Sequence, residues 1–176
     1  MFDGIRQEPK NTVQTGWPRA GGWQTVELDH GLWEDDHLVA LVEWTGAPAC
    51  VADVSDSDVA LITGLWTDGR RWQAWLNLDN AAALLTEEPD DLDDVSLWMG
   101  TPEFDEAVSG KRAELEAEVP ADAGGALAWA AAAGIPVAAQ QPRIEELLRS
   151  HETFVEDLFI SLLDALGFPD AIRPSS

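Results

Sequence analysis

The chain has 176 residues, 33 acidic and 10 basic side chains, a formal charge of −23, and 45% hydrophobic residues with nine Trp among them. That length can bury roughly 70% of the unfolded surface without disulfides or metal, and this hydrophobic content argues against disorder despite the charge. The negative charge repels nucleic-acid phosphate, so no direct DNA or RNA binding is expected, and no membrane span either, because the apolar run 126–139 falls short of the ~20 residues a membrane helix needs.

Cys50 is the single cysteine and has no partner for an internal bridge. The first residues show no basic region followed by an apolar one, so the expected location is cytoplasmic. The acidity itself has two bland readings, a salt-adapted coat and a genome-wide bias. Its distribution favours a local face, because residues 1–85 carry −8, residues 86–122 carry −11 and residues 123–176 carry −4. Nearly half of the charge falls in 37 residues.

In chain order, residues 1–22 read as an irregular arm rich in Gly, Pro and polar groups, followed by a single α+β domain over 23–176. Residues 23–78 read as an antiparallel sheet of about five strands: 23–29, 37–44, 49–54, 58–66 and 71–79. The pair around Asp68-Gly69 is the strongest local signal, since those residue types tolerate the positive φ of a two-residue hairpin turn. That turn would set Leu65 opposite Trp72 and Ile62 opposite Trp75, with both faces of the hairpin apolar enough to require cover.

Residues 79–168 read as helical and packed on the sheet. Asp79 can cap a short helix, Thr101-Pro102 marks the start of a second that runs to about Val119, and Asp122 can cap a third that Gly134 and Pro136 end. A last helix is expected from Pro142 to Gly167 on the spacing of Ile144, Leu147, Leu148, Val155, Leu158, Leu162 and Leu166. Phe159 and Ile160 widen its apolar arc, which implies burial between layers or a homodimer through this helix.

Several patterns bear on chemistry. His30 and His37 bracket Glu34, Asp35 and Asp36 in what reads as a hairpin loop. His30, His37 and Asp35 form a candidate transition-metal set for a metal-dependent enzyme, although their spacing matches no established signature and a solvated acidic loop is the plainer reading. The stretch 90–95 fails the helix–loop–helix calcium pattern, which wants Gly and Glu where Val95 and Thr101 stand. Trp66 and Trp75 on one hairpin face are a candidate stacking platform for a small ligand, against ordinary core packing. Cys50 reads as a small buried thiol, and His151 as a boundary histidine on the apolar stripe of the last helix. No cofactor is called for.

The acidic segment 86–106 has nine carboxylates and no cation. Leu92, Val95, Leu97, Trp98, Met99 and Phe104 interrupt it. Its plain reading is a solvated connection with hydrophobic pegs. The functional reading is a docking face built from Asp90, Asp91, Asp93, Asp94, Trp98, Met99, Glu103, Phe104, Asp105 and Glu106, where carboxylates surround apolar anchors. The function expected is therefore a non-enzymatic module that docks a basic partner protein, in the manner of an immunity protein, an inhibitor, a nucleic-acid mimic or a dedicated chaperone.

Overall fold

A computed structural model describes residues 13–28, 35–87, 98–135 and 141–168. The chain is α+β, with five strands in two antiparallel sheets and five helices among the described residues. Strands β1 (Val13–Pro18) and β2 (Gln24–Leu28) pair as a hairpin. Helix α1 (Asp35–Thr45) leads into a three-stranded meander of β3 (Ala49–Ser55), β4 (Val59–Leu65) and β5 (Arg71–Leu76). Helices α2 (Leu78–Leu85), α3 (Pro102–Ala132), α4 (Gln141–Arg149) and α5 (Val155–Ala165) complete the chain.

Two expectations about the first half change. The arm is not irregular throughout, because residues 13–18 form β1 against β2. Residues 37–44 are helical, not a strand. Leu38 and Val42, four apart, are buried with Ala49 and Leu65 of the sheet, while Ala40, Glu43 and Trp44 point to solvent. Val39, Val42 and Trp44 gave this segment strand-like composition, and packing overrode that preference. The one five-stranded sheet thereby becomes sheets of three and two.

The β4–β5 hairpin forms where expected, but its register is shifted by one. Leu65 stands opposite Arg71 and Gly64 opposite Trp72. The Trp66 N–H donates to the Arg70 carbonyl at 2.9 Å and the Gly69 N–H to the Trp66 carbonyl at 3.1 Å, so Thr67, Asp68 and Gly69 form a three-residue loop. Gly69 takes the left-handed conformation at φ +85°. Asp68 does not, because its carboxylate accepts from the Arg70 N–H at 3.2 Å and from Arg70 Nε at 2.8 Å. A side chain that bonds the backbone two residues on builds this type of turn without positive φ.

A one-residue shift exchanges the faces of the pairing. Ala60, Ile62 and Gly64 now share a face with Trp72, Ala74 and Leu76, and this face enters the main core with the buried residues of α2 to α5. Leu65 belongs to the opposite face, under α1. The cover that the apolar hairpin required on its second side is thus α1, the segment whose composition resembled a strand.

Helix α3 runs unbroken through Pro120, where a boundary was expected. Proline removes one helical donor. The buried stripe Leu115, Val119, Ala123, Ala126, Trp129 and Ala130 nevertheless continues across it, with Pro120 on the exposed side. Gly125 brings α3 close to the sheet: a Cβ there would lie 3.1 Å from Trp72 Cβ.

The expected single last helix is two, α4 and α5. Between them the backbone bonds to distant residues: the Glu152 N–H donates to Asn77 Oδ1 at 3.1 Å, and the Val155 N–H donates to the Ser57 carbonyl at 2.8 Å. Those tertiary bonds replace helical ones and reorient the chain. His151 is consequently exposed in the connection, not on an apolar helical stripe.

Candidate functional site

Within the acidic segment, Asp90, Asp91, Asp93 and Asp94 lie outside the described residues. Residues 98–106 form the entry to α3. Thr101 caps the helix by accepting from the Phe104 N–H at 3.2 Å, and Pro102 follows at the first helical position. Proline lacks only a donor that would be unpaired there anyway. Glu103 and Asp105 in the first turn face the positive end of the helix dipole, so part of this acidity serves the helix itself.

The three apolar anchors are not equivalent. Trp98 and Phe104 pack edge to face with centroids 5.0 Å apart and an interplanar angle of 79°, and both are half-buried. Met99 is 62% exposed, and Glu103, Asp105 and Glu106 are exposed nearby in sequence. An accessible thioether therefore sits beside an aromatic pair that fixes the backbone carrying it.

Most of the described cations are engaged by the protein's own acids. Of the seven Lys and Arg side chains among the described residues, at least six lie in ion pairs: Arg19, Arg70, Lys111, Arg112, Arg143 and Arg149. One chain of pairs joins three helices: Arg112 bridges Asp79 of α2, at 2.8 Å, to Glu116, which also binds Arg149 of α4, and Arg149 reaches Glu145 at 3.1 Å. Two guanidinium groups on Glu116 hold its carboxyl below the ordinary range. Lys111 feels Glu114 first, then Glu87 and Glu118, which raises its own proton affinity.

A second group of carboxylates escapes sequence reasoning. Asn77, wholly buried, donates through Nδ2 to the Asp58 carbonyl at 2.7 Å and the Glu152 carbonyl at 2.9 Å. The Ser57 hydroxyl donates to Glu156 Oε1 at 2.7 Å. These bonds gather the β3–β4 turn and the α4–α5 connection at one end of the molecule, with Asp56, Asp58, Glu152 and Asp157 exposed and Phe154 59% exposed among them. The hydrogen-bonded residues are separated by up to 99 positions. No local pattern could have linked them.

His37 lies in the first turns of α1, not in a hairpin loop, while His30 and the Asp35 side chain fall outside the described residues. Among the described residues no three His, Cys, Asp or Glu side chains gather as metal ligands would. Trp66 follows the last ladder pair of β4 and is buried, with the Arg70 guanidinium 5.1 Å from its ring centre, while Trp75 stands opposite Leu61 and is half-buried; both pack with the main core.

Cys50 is half-buried by area, yet burial pushes its thiol up to about 12 against a weaker opposing pull from the Arg19 charge. A thiol held neutral in this way is a poor nucleophile. Asp122 on α3 is raised to about 6 by burial, with Glu118 adding to the effect. Of the last apolar arc, Val155, Leu158, Leu162, Leu163 and Leu166 are core and Phe159 packs against them, while Ile160 is half-buried. No described helix is long and apolar enough to cross a membrane. Comparison of the chain with protein-family models, with curated proteins and with solved structures returns no match.

Proposed function

We propose that the protein is an acidic binding module, located in the cytoplasm, that docks a basic partner protein through the segment 86–106 and the start of α3. The observation that carries this reading is Met99, exposed beside the Trp98–Phe104 pair and followed by the exposed carboxylates Glu103, Asp105 and Glu106. An apolar contact surrounded by charge of one sign suits a partner with the opposite sign around an apolar pocket. Internal pairing of at least six of the seven described cations adds support, because a paired cation repels such a partner less. The reading covers an immunity protein, an inhibitor, a nucleic-acid mimic or a dedicated chaperone.

The test is capture of partners from lysate of the native cells at low and at high salt, followed by kinetics with the purified partner. The expected partner is strongly basic, with an association rate that falls steeply as salt rises. A partner of neutral or acidic character, or an association rate indifferent to salt, would overturn the reading.

A further inference from the structure

The backbone around Met99 holds its side chain outward. Trp98, Met99, Gly100 and Thr101 make a tight turn, in which the Thr101 N–H donates to the Trp98 carbonyl at 3.0 Å. Gly100 fills the third position at φ +87°, a left-handed conformation that glycine adopts without steric cost. Met99 thus takes the second position, on the outside of the turn, and is 62% exposed. Both ends of the turn are fixed, since Trp98 packs edge to face on Phe104 at 5.0 Å and Thr101 caps α3 by accepting from the Phe104 N–H. Neither core cluster includes Met99.

Met99 is the only methionine among the described residues, and Cys50 is the only cysteine of the chain. The two sulfur atoms offer an oxidant different access. Cys50 is half-buried with its thiol held neutral, whereas oxidation of cysteine proceeds through the thiolate. A thioether has no proton to lose, so exposure alone admits the oxidant to Met99.

We propose that Met99 is a site of reversible oxidation by hydroperoxides, and that its sulfoxide switches off docking of the basic partner. The switch rests on the docking reading proposed above. A sulfur lone pair attacks one peroxide oxygen, the S–O bond forms as the O–O bond breaks, and the departing hydroxide takes a proton to become water. Sulfur gives up two electrons and the peroxide accepts them. The product has a polar, chiral S–O group where a flexible apolar end stood, so entering an apolar pocket on the partner would bury an acceptor without a donor. The fold keeps its packing, because the new oxygen is added to a side chain already in water. Methionine sulfoxide is reduced enzymatically, so docking returns once the oxidant is gone.

The test treats the full chain with hydrogen peroxide and follows each sulfur by peptide mass spectrometry. Binding is measured in parallel on an immobilised helical peptide with one lysine face and one leucine face, which supplies the charge and the apolar contact that the docking surface requires. Met99 should oxidise within about threefold of the rate of free methionine, with Cys50 unmodified. The oxidised protein should leave the peptide about tenfold faster, with its association rate and thermal melt unchanged. A methionine sulfoxide reductase should restore the original dissociation rate, and Met99→Leu should bind as the untreated protein does and be insensitive to peroxide. Met99 oxidation more than about tenfold slower than that of free methionine, or unchanged binding after oxidation, overturns the switch and leaves the docking reading standing. Peroxide-induced loss of binding in Met99→Leu also overturns it, by placing the effect elsewhere. Untreated protein that fails to bind the peptide counts against the docking reading itself, and the switch falls with it.

Discussion

The indole of Trp72 covers Gly64 on the neighbouring strand so closely that a Cβ on Gly64 would lie 1.8 Å from Trp72 Nε1. The two residues are paired across the β4–β5 ladder, and from the helical side a Cβ on Gly125 of α3 would lie 3.1 Å from Trp72 Cβ. One tryptophan thus sets the distance between sheet and helix, and the glycines are what allow it.

Gly64→Ala should accordingly destabilise the fold by roughly 2–4 kcal/mol, because neither the buried ring nor the central strand can move aside. Gly69→Ala also strains a left-handed turn residue, at φ +85°, but meets no atom within 4 Å, and should cost about 1 kcal/mol. Chemical denaturation of both variants checks the ranking. Equal losses would mean that Trp72 adapts more freely than its burial implies.

Asn77 combines a left-handed backbone, φ +56°, with full burial and three side-chain hydrogen bonds to Asp58 and Glu152. Substitution by Gly should relieve the backbone but lose the bonds, whereas Ala loses both. The expected order of stability is wild type, then Gly, then Ala, with the two variants about 1 kcal/mol apart and Ala lower than wild type by roughly 3 kcal/mol. An Ala variant as stable as the Gly variant would show that the hydrogen bonds alone matter.

How far the sequence could reveal this arrangement depends on the reach of each signal. The cap at Thr101-Pro102 and the turn at Asp68-Gly69 are local, and both appear where their residue types imply. The hairpin register failed because the Asp68 carboxylate bonds to Arg70, which lets Gly69 alone carry the positive φ. Residues 35–45 have strand-like composition, and only burial of Leu38 and Val42 on the sheet makes them a helix. The break between α4 and α5 depends on Asn77, 75 residues from Glu152, so helical periodicity runs across it without a mark. For the candidate site, the sequence pointed to Trp98, Met99 and Phe104 together, but only the packing distinguishes the exposed methionine from the two rings that hold each other.

Asp122 provides a pH test. Its carboxyl is raised from 3.8 to about 6 in the folded chain, so the folded state binds this proton more tightly than the unfolded state does. Its contribution to stability is fully present below about pH 4 and is lost as pH rises through 6. Allowing for solvent around a half-buried group, Asp122→Asn should stabilise the protein at pH 7 by roughly 1 kcal/mol and make little difference at pH 4. Thermal melts at the two pH values decide it, and a benefit that is the same at both would exclude titration as its source.

The proposed docking surface should divide into charge that governs encounter and apolar contact that governs lifetime. Exposed carboxylates attract a basic partner over a distance that salt limits to about 8 Å at physiological strength, so their effect falls on the association rate. Replacing Asp90, Asp91, Asp93 and Asp94 by Asn should slow association severalfold and flatten its dependence on salt. Glu103 and Asp105 are less suitable for this purpose, since they also support the first turn of α3. Met99 is the exposed anchor, and Met99→Ala should hasten dissociation about tenfold with association unchanged. Trp98→Ala disturbs Phe104 as well, so its effect mixes lost contact with a loosened helix entry. If the four-Asn variant kept both the wild-type association rate and its salt slope, the segment would be a solvated connection and the partner would have to bind elsewhere. The exposed end formed by Asp56, Asp58, Glu152 and Asp157 around Phe154 is then the surface to substitute next.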